Sequence, residues 1–267
     1  MNVVATTPAY SPLTGFTNVL RSEFCKLGSV RSTYWTLFAA VAFNVVLAGL
    51  EAIILPGHLS AHDKATLDAT RVSLGGIHLS QIAFGVLGVL VITSEYGTGM
   101  IRATLSAVPQ RRLVLAAKAL VFTVVGLVIG VVASFAAFFV FQAFLPGDSL
   151  RSSIGDPGVL RAVIGGGLYL TVLGLLGLGL GAIIRVSAGA IAVLVGALFV
   201  PQILVHLLPQ SWQAVIGPYV PMEAGNQIFS ARQEAGNLGA WAGFGVFSVY
   251  AVVALAVGFL VISRRDA

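Results

Sequence analysis

Six apolar runs constrain this chain more than any other feature. They are Tyr34–Leu55, Ile77–Ser94, Ala119–Leu145, Val159–Ile184, Ala188–Leu208 and Ala240–Ile262. A helix rises about 1.5 Å per residue and the hydrocarbon core is about 30 Å thick, so about 20 apolar residues span it. Inside lipid every backbone polar group must be satisfied within the segment, which leaves helices as the fold for runs of this kind. The expected fold class is all-α: a polytopic membrane protein of six transmembrane helices, one domain over residues 1–267, with the bundle at 34–262. The third and fourth runs are long enough to tilt or to protrude. Composition agrees. Hydrophobic residues make up 57% and charged residues 9%, against about 25% charged in soluble domains. An ordinary soluble enzyme, a disordered chain and a disulfide-rich secreted domain are excluded. Cys25 is the single cysteine, so no intramolecular disulfide forms.

Orientation follows from Lys and Arg. With the N-terminus inside, the inner segments hold Arg21, Lys26, Arg31, Arg102, Arg111, Arg112, Lys118, Arg185, Arg264 and Arg265. The outer segments hold Lys64, Arg71, Arg151, Arg161 and Arg232, with the acids Asp63, Asp68, Asp148, Asp156, Glu223 and Glu234. Both termini are therefore expected in the cytoplasm. The net charge of +5 belongs to these flanks and to anionic lipid rather than to nucleic acid. The first twenty residues carry no basic side chain and no compact apolar core, so a cleaved signal peptide is not expected. The first span is read as a permanent anchor.

Two segments outside the spans stand out. Within 14–33, Phe16, Val19, Leu20, Phe24 and Leu27 recur at spacings of three and four, the mark of an amphipathic helix lying along the inner leaflet. Arg21, Ser22, Lys26 and Ser29 fall largely on its remaining surface. Between the last two spans, 209–237 is apolar but broken by Pro209, Pro218 and Pro221. It is either a set of short helices that re-enter or cap the bundle, or a surface loop.

Several chemistries are absent from the sequence. There is no GxxxxGK[ST], HExxH, GxSxG or CxxC. The chain is not read as an enzyme, and it holds no cofactor and no metal. Gly177, Gly179 and Gly181 lie inside an apolar run, so Gly177 and Gly181 mark a helix-packing face rather than a dinucleotide site. His58 and His62 beside Asp63, with His78 and His206, make a weaker case for a metal than for polar span ends. Asn44, Glu51 and Gln202 are polar groups in apolar runs, with Gln142 and Asn226 as lesser cases. Such groups are candidates for a translocation path, although Glu51 is close enough to the span end to snorkel out. No sequence repeat links the two halves of the chain.

The most informative stretch is 94–112, SEYGTGMIRATLSAVPQRR. Glu95 sits at the membrane exit, Gly97 and Gly99 flank a break, and a short helical piece ends at Pro109. A short helix held across the bundle end is a docking knob. It is expected to offer Met100, Ile101 and Leu105 to a partner groove, and Arg102 to a partner acid.

SEYGTGMIRATLSAVPQRRLVLAAK resembles the cytoplasmic motif of ABC type-2 transporter permeases, especially those of actinobacterial type. FTNVLRSEFCKLGSVRSTYWTL is similar to that family's elbow helix and first span, and GPYVPMEAG to its segment before the last span. The resemblance implies a permease subunit of a bacterial multidrug or antibiotic exporter in the plasma membrane. It implies a second permease copy, as a homodimer or heterodimer, and two copies of a separate cytoplasmic ATPase that carries the ATP and Mg. The coupling turn would be 95–112, with Glu95, Tyr96, Gly97, Thr98, Gly99, Met100, Ile101, Arg102 and Leu105 meeting the ATPase. Phe16, Leu20, Phe24 and Leu27 would form the elbow helix, and 209–237 the outer re-entrant segment. A stand-alone secondary transporter or channel is the alternative.

Overall fold

The computed structural model describes residues 12–29, 31–58, 60, 67–147, 151–233 and 236–264. His62, Asp63, Lys64, Asp148, Glu234 and Arg265, and Val30 of the expected elbow helix, lie outside the described residues. Among the described residues the chain is helical, with no strand. Eleven α-helices are used below: α1 (Pro12–Ser29), α2 (Arg31–His58), α3 (Ala69–Ser73), α4 (Ile77–Gly97), α5 (Met100–Ala107), α6 (Arg111–Phe144), α7 (Val159–Ile184), α8 (Ser187–His206), α9 (Gln210–Ile216), α10 (Pro221–Asn226) and α11 (Ala240–Arg264). Six of them, α2, α4, α6, α7, α8 and α11, are long and apolar enough to cross a membrane. They coincide with the six runs read from sequence.

The boundaries differ most at α6, which starts at Arg111 rather than Ala119; α2 is three residues longer at each end, and α4 ends at Gly97 rather than Ser94. The apolar runs stop at Lys118 and Glu95, but the helices do not. Each of these charges is neutralised in place, so the backbone has no reason to break there.

The centre of the bundle is α7, with 67% of its most apolar stretch buried, against 17% for α8. Its glycines explain why α4, α6 and α11 all reach it. Gly88 of α4 lies directly on the Gly174 carbonyl, and Gly177 on the backbone of Gly85. Gly130 of α6 faces the Gly167 backbone, where an added Cβ would stand 3.0 Å from its Cα. On the α11 side, a Cβ at Gly179 would stand 2.7 Å from the backbone of Ala254 and Leu255. Small residues let backbones approach this closely, and the dispersion gained replaces a hydrophobic drive that lipid does not supply. Around this axis Phe84, Tyr169, Leu170, Leu173, Leu194, Phe229 and Phe247 form the core.

At the end opposite α1 and α5, the proline-broken stretch divides in two. α9 has no buried residue, and Trp212 and Val215 are exposed. By contrast, α10 and the following 3-10 turn Gln227–Phe229 are packed into the bundle, with Ala224, Ile228 and Phe229 fully enclosed. Tyr169 stacks on Phe247 at 4.9 Å and meets Phe229 edge-on at 5.3 Å. The irregular backbone is tolerated because protein covers it. Arg161 of α7 holds it, donating to the carbonyls of Ile228 (3.2 Å), Ser230 (3.0 Å) and Ala231 (3.3 Å). Asp68 adds a second tie. One carboxylate oxygen caps α3 at Thr70 and Arg71, each 3.1 Å, and the other accepts from the Arg232 amide at 2.9 Å.

Candidate functional site

Four segments meet at the other end of the bundle: α1, the end of α4, α5 and the start of α6. α4 gives way to α5 through Gly97–Thr98–Gly99. Gly99 has a φ of 73°, a left-handed conformation that glycine adopts without strain. α5 is eight residues long and closes at Val108, whose amide donates to the Thr104 carbonyl at 2.9 Å. Pro109 then separates it from α6.

The junction is built on charge. Lys118 of α6 is 2% exposed, and its ammonium donates to Glu23 Oε2 at 2.7 Å, Glu95 Oε1 at 2.6 Å and the Val91 carbonyl at 3.2 Å. Three protons thus find three acceptors, the full capacity of an ammonium. Lys26 of α1 donates to Glu23 Oε1 at 2.8 Å and to Glu95 Oε1 at 3.0 Å. It also reaches Thr104 Oγ1 at 3.3 Å, and that hydroxyl donates to Glu95 Oε2 at 3.3 Å. Two lysines and two glutamates make the cluster neutral. Burial pulls the Lys26 ammonium toward losing its proton, but Glu23 and Glu95 more than offset this and hold its pKa above the ordinary 10.5.

Beside this cluster lies a groove of about 880 Å³ between α1 and α5. Asn18, Ser22, Glu23 and Lys26 line one wall, and Met100, Ala103, Thr104 and Ala107 the other. Buried Glu23 and half-buried Lys26 contribute charge to its lining, and the exposed lining residues mix polar Asn18, Ser22 and Gln110 with apolar Met100, Ala103 and Ala107.

The sequence-derived residues fall into place unevenly. Met100 is 47% exposed at the groove and Arg102 is exposed, while Leu105 is half-buried. Ile101 corrects the expectation: it is 3% exposed and turned into the bundle, not toward a partner. A helix this short needs an apolar anchor, and Ile101 is the one buried residue it has. Glu95 is likewise buried inside the charge cluster rather than presented outward. Tyr96 is half-buried, with the Arg185 guanidinium 5.0 Å over its ring.

On α1 the bundle-facing stripe is Val19, Glu23 and Lys26, one residue away from Leu20, Phe24 and Leu27. One residue is about 100° on a helix. Phe24 therefore points away from the bundle, 60% exposed, while Phe16, Leu20 and Leu27 are half-buried.

Glu23, Lys118 and Thr104 were not singled out from sequence. The available signal was scarcity. The chain has only three lysines, Lys26, Lys64 and Lys118, and Lys118 sits directly before the apolar run Ala119–Leu145, where an unpaired buried charge is untenable.

The polar residues of α2 lie away from this junction. Asn44 is fully buried against Gly76, and neither of its side-chain polar atoms has a partner. Glu51 is half-buried against Gly75, with Oε2 unpartnered. Asn44 and Glu51 thus share one face of α2 against one turn, and Gln202 is half-buried on α8. Gly177 and Gly181 both pack inside the bundle against α4. His78 meets Phe229 edge-on at 5.9 Å, and His58 and His206 end α2 and α8. Among the described residues no three His, Cys, Asp or Glu side chains gather as a metal site.

The sequence matches no protein-family model, and no curated protein matches it.

Proposed function

We propose that this chain is the permease subunit of an ABC-type exporter, embedded in a bacterial plasma membrane and driven by a separate ATPase. The observation that carries the reading is the junction at the α1/α5 end. A two-turn helix is pinned beside an interfacial helix and shows an exposed methionine and arginine at a groove of about 880 Å³ lined by both apolar and polar side chains. This is a surface shaped to take a protein element rather than a solute. The motif residues 94–112 support it through their resemblance to ABC type-2 permeases, as do six apolar helices and a sequence without a phosphate loop. ATP and Mg then reside on the ATPase, and this chain holds no cofactor.

In this reading α5 is the coupling helix and α1 the elbow helix. ATP-driven closure of two ATPase subunits shifts two permease copies between packings that differ by a few kcal/mol. Both termini are cytoplasmic, and the embedded α10 closes the outer end. The mostly apolar bundle suits a hydrophobic or amphipathic cargo, such as a drug, an antibiotic or a lipid-like molecule.

One observation favours a second reading. The unpartnered polar atoms of Asn44 and Glu51 inside α2 are what a stand-alone transporter or channel needs.

Affinity purification of the tagged chain from its native membrane in mild detergent, with mass spectrometry of what accompanies it, decides between them. An ATPase at one copy per permease is expected. Its reproducible absence, with transport in liposomes that contain no ATP, overturns the exporter reading.

A further inference from the structure

α5 cannot hold itself together. Isolated helices shorter than about 12 residues are marginal in water, and α5 has eight. Its attachments along the chain are pliable. It is entered through Gly97–Thr98–Gly99, where a Cβ added at either glycine would meet nothing within 4 Å. It is left through Val108, whose amide makes the last bond to Thr104, and Pro109, which has no amide proton to continue a helical hydrogen-bond ladder. Two side chains fasten it sideways: Ile101, which is 3% exposed, and Thr104, whose hydroxyl links Lys26 and Glu95. Neither of those partners is fixed by its own helix alone. Glu95 Oε1 is shared between Lys118 and Lys26, and Glu23 takes Lys26 on Oε1 and Lys118 on Oε2. Lys118, the most enclosed of the four and the one with every donor used, sets where both carboxylates sit.

We propose that Lys118 is a positioning residue for α5. Its ammonium fixes Glu95, and through Glu95 and Lys26 it fixes Thr104. α1, the end of α4, α5 and the start of α6 thereby move as one rigid body. The clamp itself does not depend on the permease reading. Its use does: with the clamp closed, a push on α5 reaches α4 and α6 instead of bending the glycine turn.

The competing view is a cluster that only keeps the bundle folded. Hydrogen exchange on the full chain in detergent, with no partner present, separates the two. In Lys118→Met/Glu95→Gln one charge of each sign is removed, and the Glu23–Lys26 pair remains. Amides of 100–107 are expected to exchange about tenfold faster, the scale of one lost charge-assisted hydrogen bond in a local opening equilibrium, while α6 and α7 keep their protection. Thr104→Val should give the same local release with an unchanged melting temperature, and Thr104→Ser should restore protection. Unchanged exchange over 100–107 in the double variant overturns the proposal. If the double variant loses protection throughout, Thr104→Val decides: local release supports the clamp, and unchanged exchange overturns it. Because no ATPase enters the experiment, a failure here is distinct from a failure of the permease reading.

Discussion

Lys118 Nζ lies 2.6 Å from Glu95 Oε1, and both residues are at most 5% exposed. They come from two of the six long apolar helices, and the second acid on Lys118, Glu23, comes from α1, which is not one of the six. Removing one partner of a buried pair is far more damaging than neutralising the pair, because it strands an uncompensated charge. Lys118→Met should therefore cost about 3–5 kcal/mol. Lys118→Met/Glu95→Gln should recover most of that loss. Thermal unfolding of the three proteins in the same detergent checks the order. A double variant as unstable as the single one would show that the cost lies in packing, not charge.

This contrast shows where sequence legibility ends. The six spans were readable because about 20 consecutive apolar residues have few other solutions. The glycine turn at Gly97–Gly99 and the stop at Pro109 were readable because backbone chemistry is local. The charge cluster was not, because Glu23, Glu95 and Lys118 are brought together by helix packing, and nothing in their spacing announces it. The same limit explains Ile101 and Phe24. Periodicity shows that a helix has an apolar face, but not which of two adjacent stripes meets the bundle. On α1 the stripe bearing Glu23 faces inward because Lys118 is waiting there.

Lys26 makes the junction sensitive to base. Four groups face it or complete its cluster: Glu23 on its own helix, Glu95 from α4, Thr104 from α5 and Lys118 from α6. Its folded-state pKa is raised above 10.5 despite the opposing effect of burial. A raised pKa means that protonation favours the folded state. The contribution is whole below 10.5 and is lost as pH climbs through the raised value. Lys26→Gln should melt below wild type at pH 8, and the gap should shrink in strong base. A gap that stays constant from pH 8 to beyond 11 would place the effect of Lys26 in its alkyl packing.

Gly177 carries the contact between α7 and α4, since its Cα faces the Gly85 backbone with no room for a Cβ. Gly177→Leu must push the two helices apart. A cost of at least about 3 kcal/mol is expected, the upper range for overpacking a filled core. Gly245 is the control, because a Cβ there meets nothing within 4 Å. Gly245→Ala should leave the melting temperature unchanged. Equal melting temperatures for Gly177→Leu and wild type would contradict the close approach.

Arg161 donates side-chain hydrogen bonds to the carbonyls of Ile228, Ser230 and Ala231. Arg161→Met keeps the stem and removes all three bonds. A loss of about 2 kcal/mol or more is expected from charged donors of this kind. It should be local, because α10 is also held by Phe229 against Tyr169. Limited proteolysis or hydrogen exchange over 221–233 should rise well before α7 is affected. Uniform loss of protection through the bundle would mean that Arg161 supports the whole fold rather than this segment.

The permease reading makes its sharpest demand on Met100. The side chain is 47% exposed on the groove wall and has no structural duty comparable to that of Ile101, which is 3% exposed. Met100→Asp places a charge where an exposed apolar side chain lines the groove, and Arg102→Glu reverses an exposed charge. Both should leave the melting temperature of the isolated chain within about 0.5 kcal/mol equivalent of wild type, as surface substitutions do. In the assembled exporter both should lower cargo-stimulated ATP hydrolysis by about tenfold or more, since each disrupts an anchor of a docked helix worth 1.4 kcal/mol or above. Ile101→Ala should do the reverse, destabilising the chain first and affecting hydrolysis only through that loss. Normal co-purification and normal stimulated hydrolysis in Met100→Asp would remove α5 from the ATPase contact. The groove would then need another occupant.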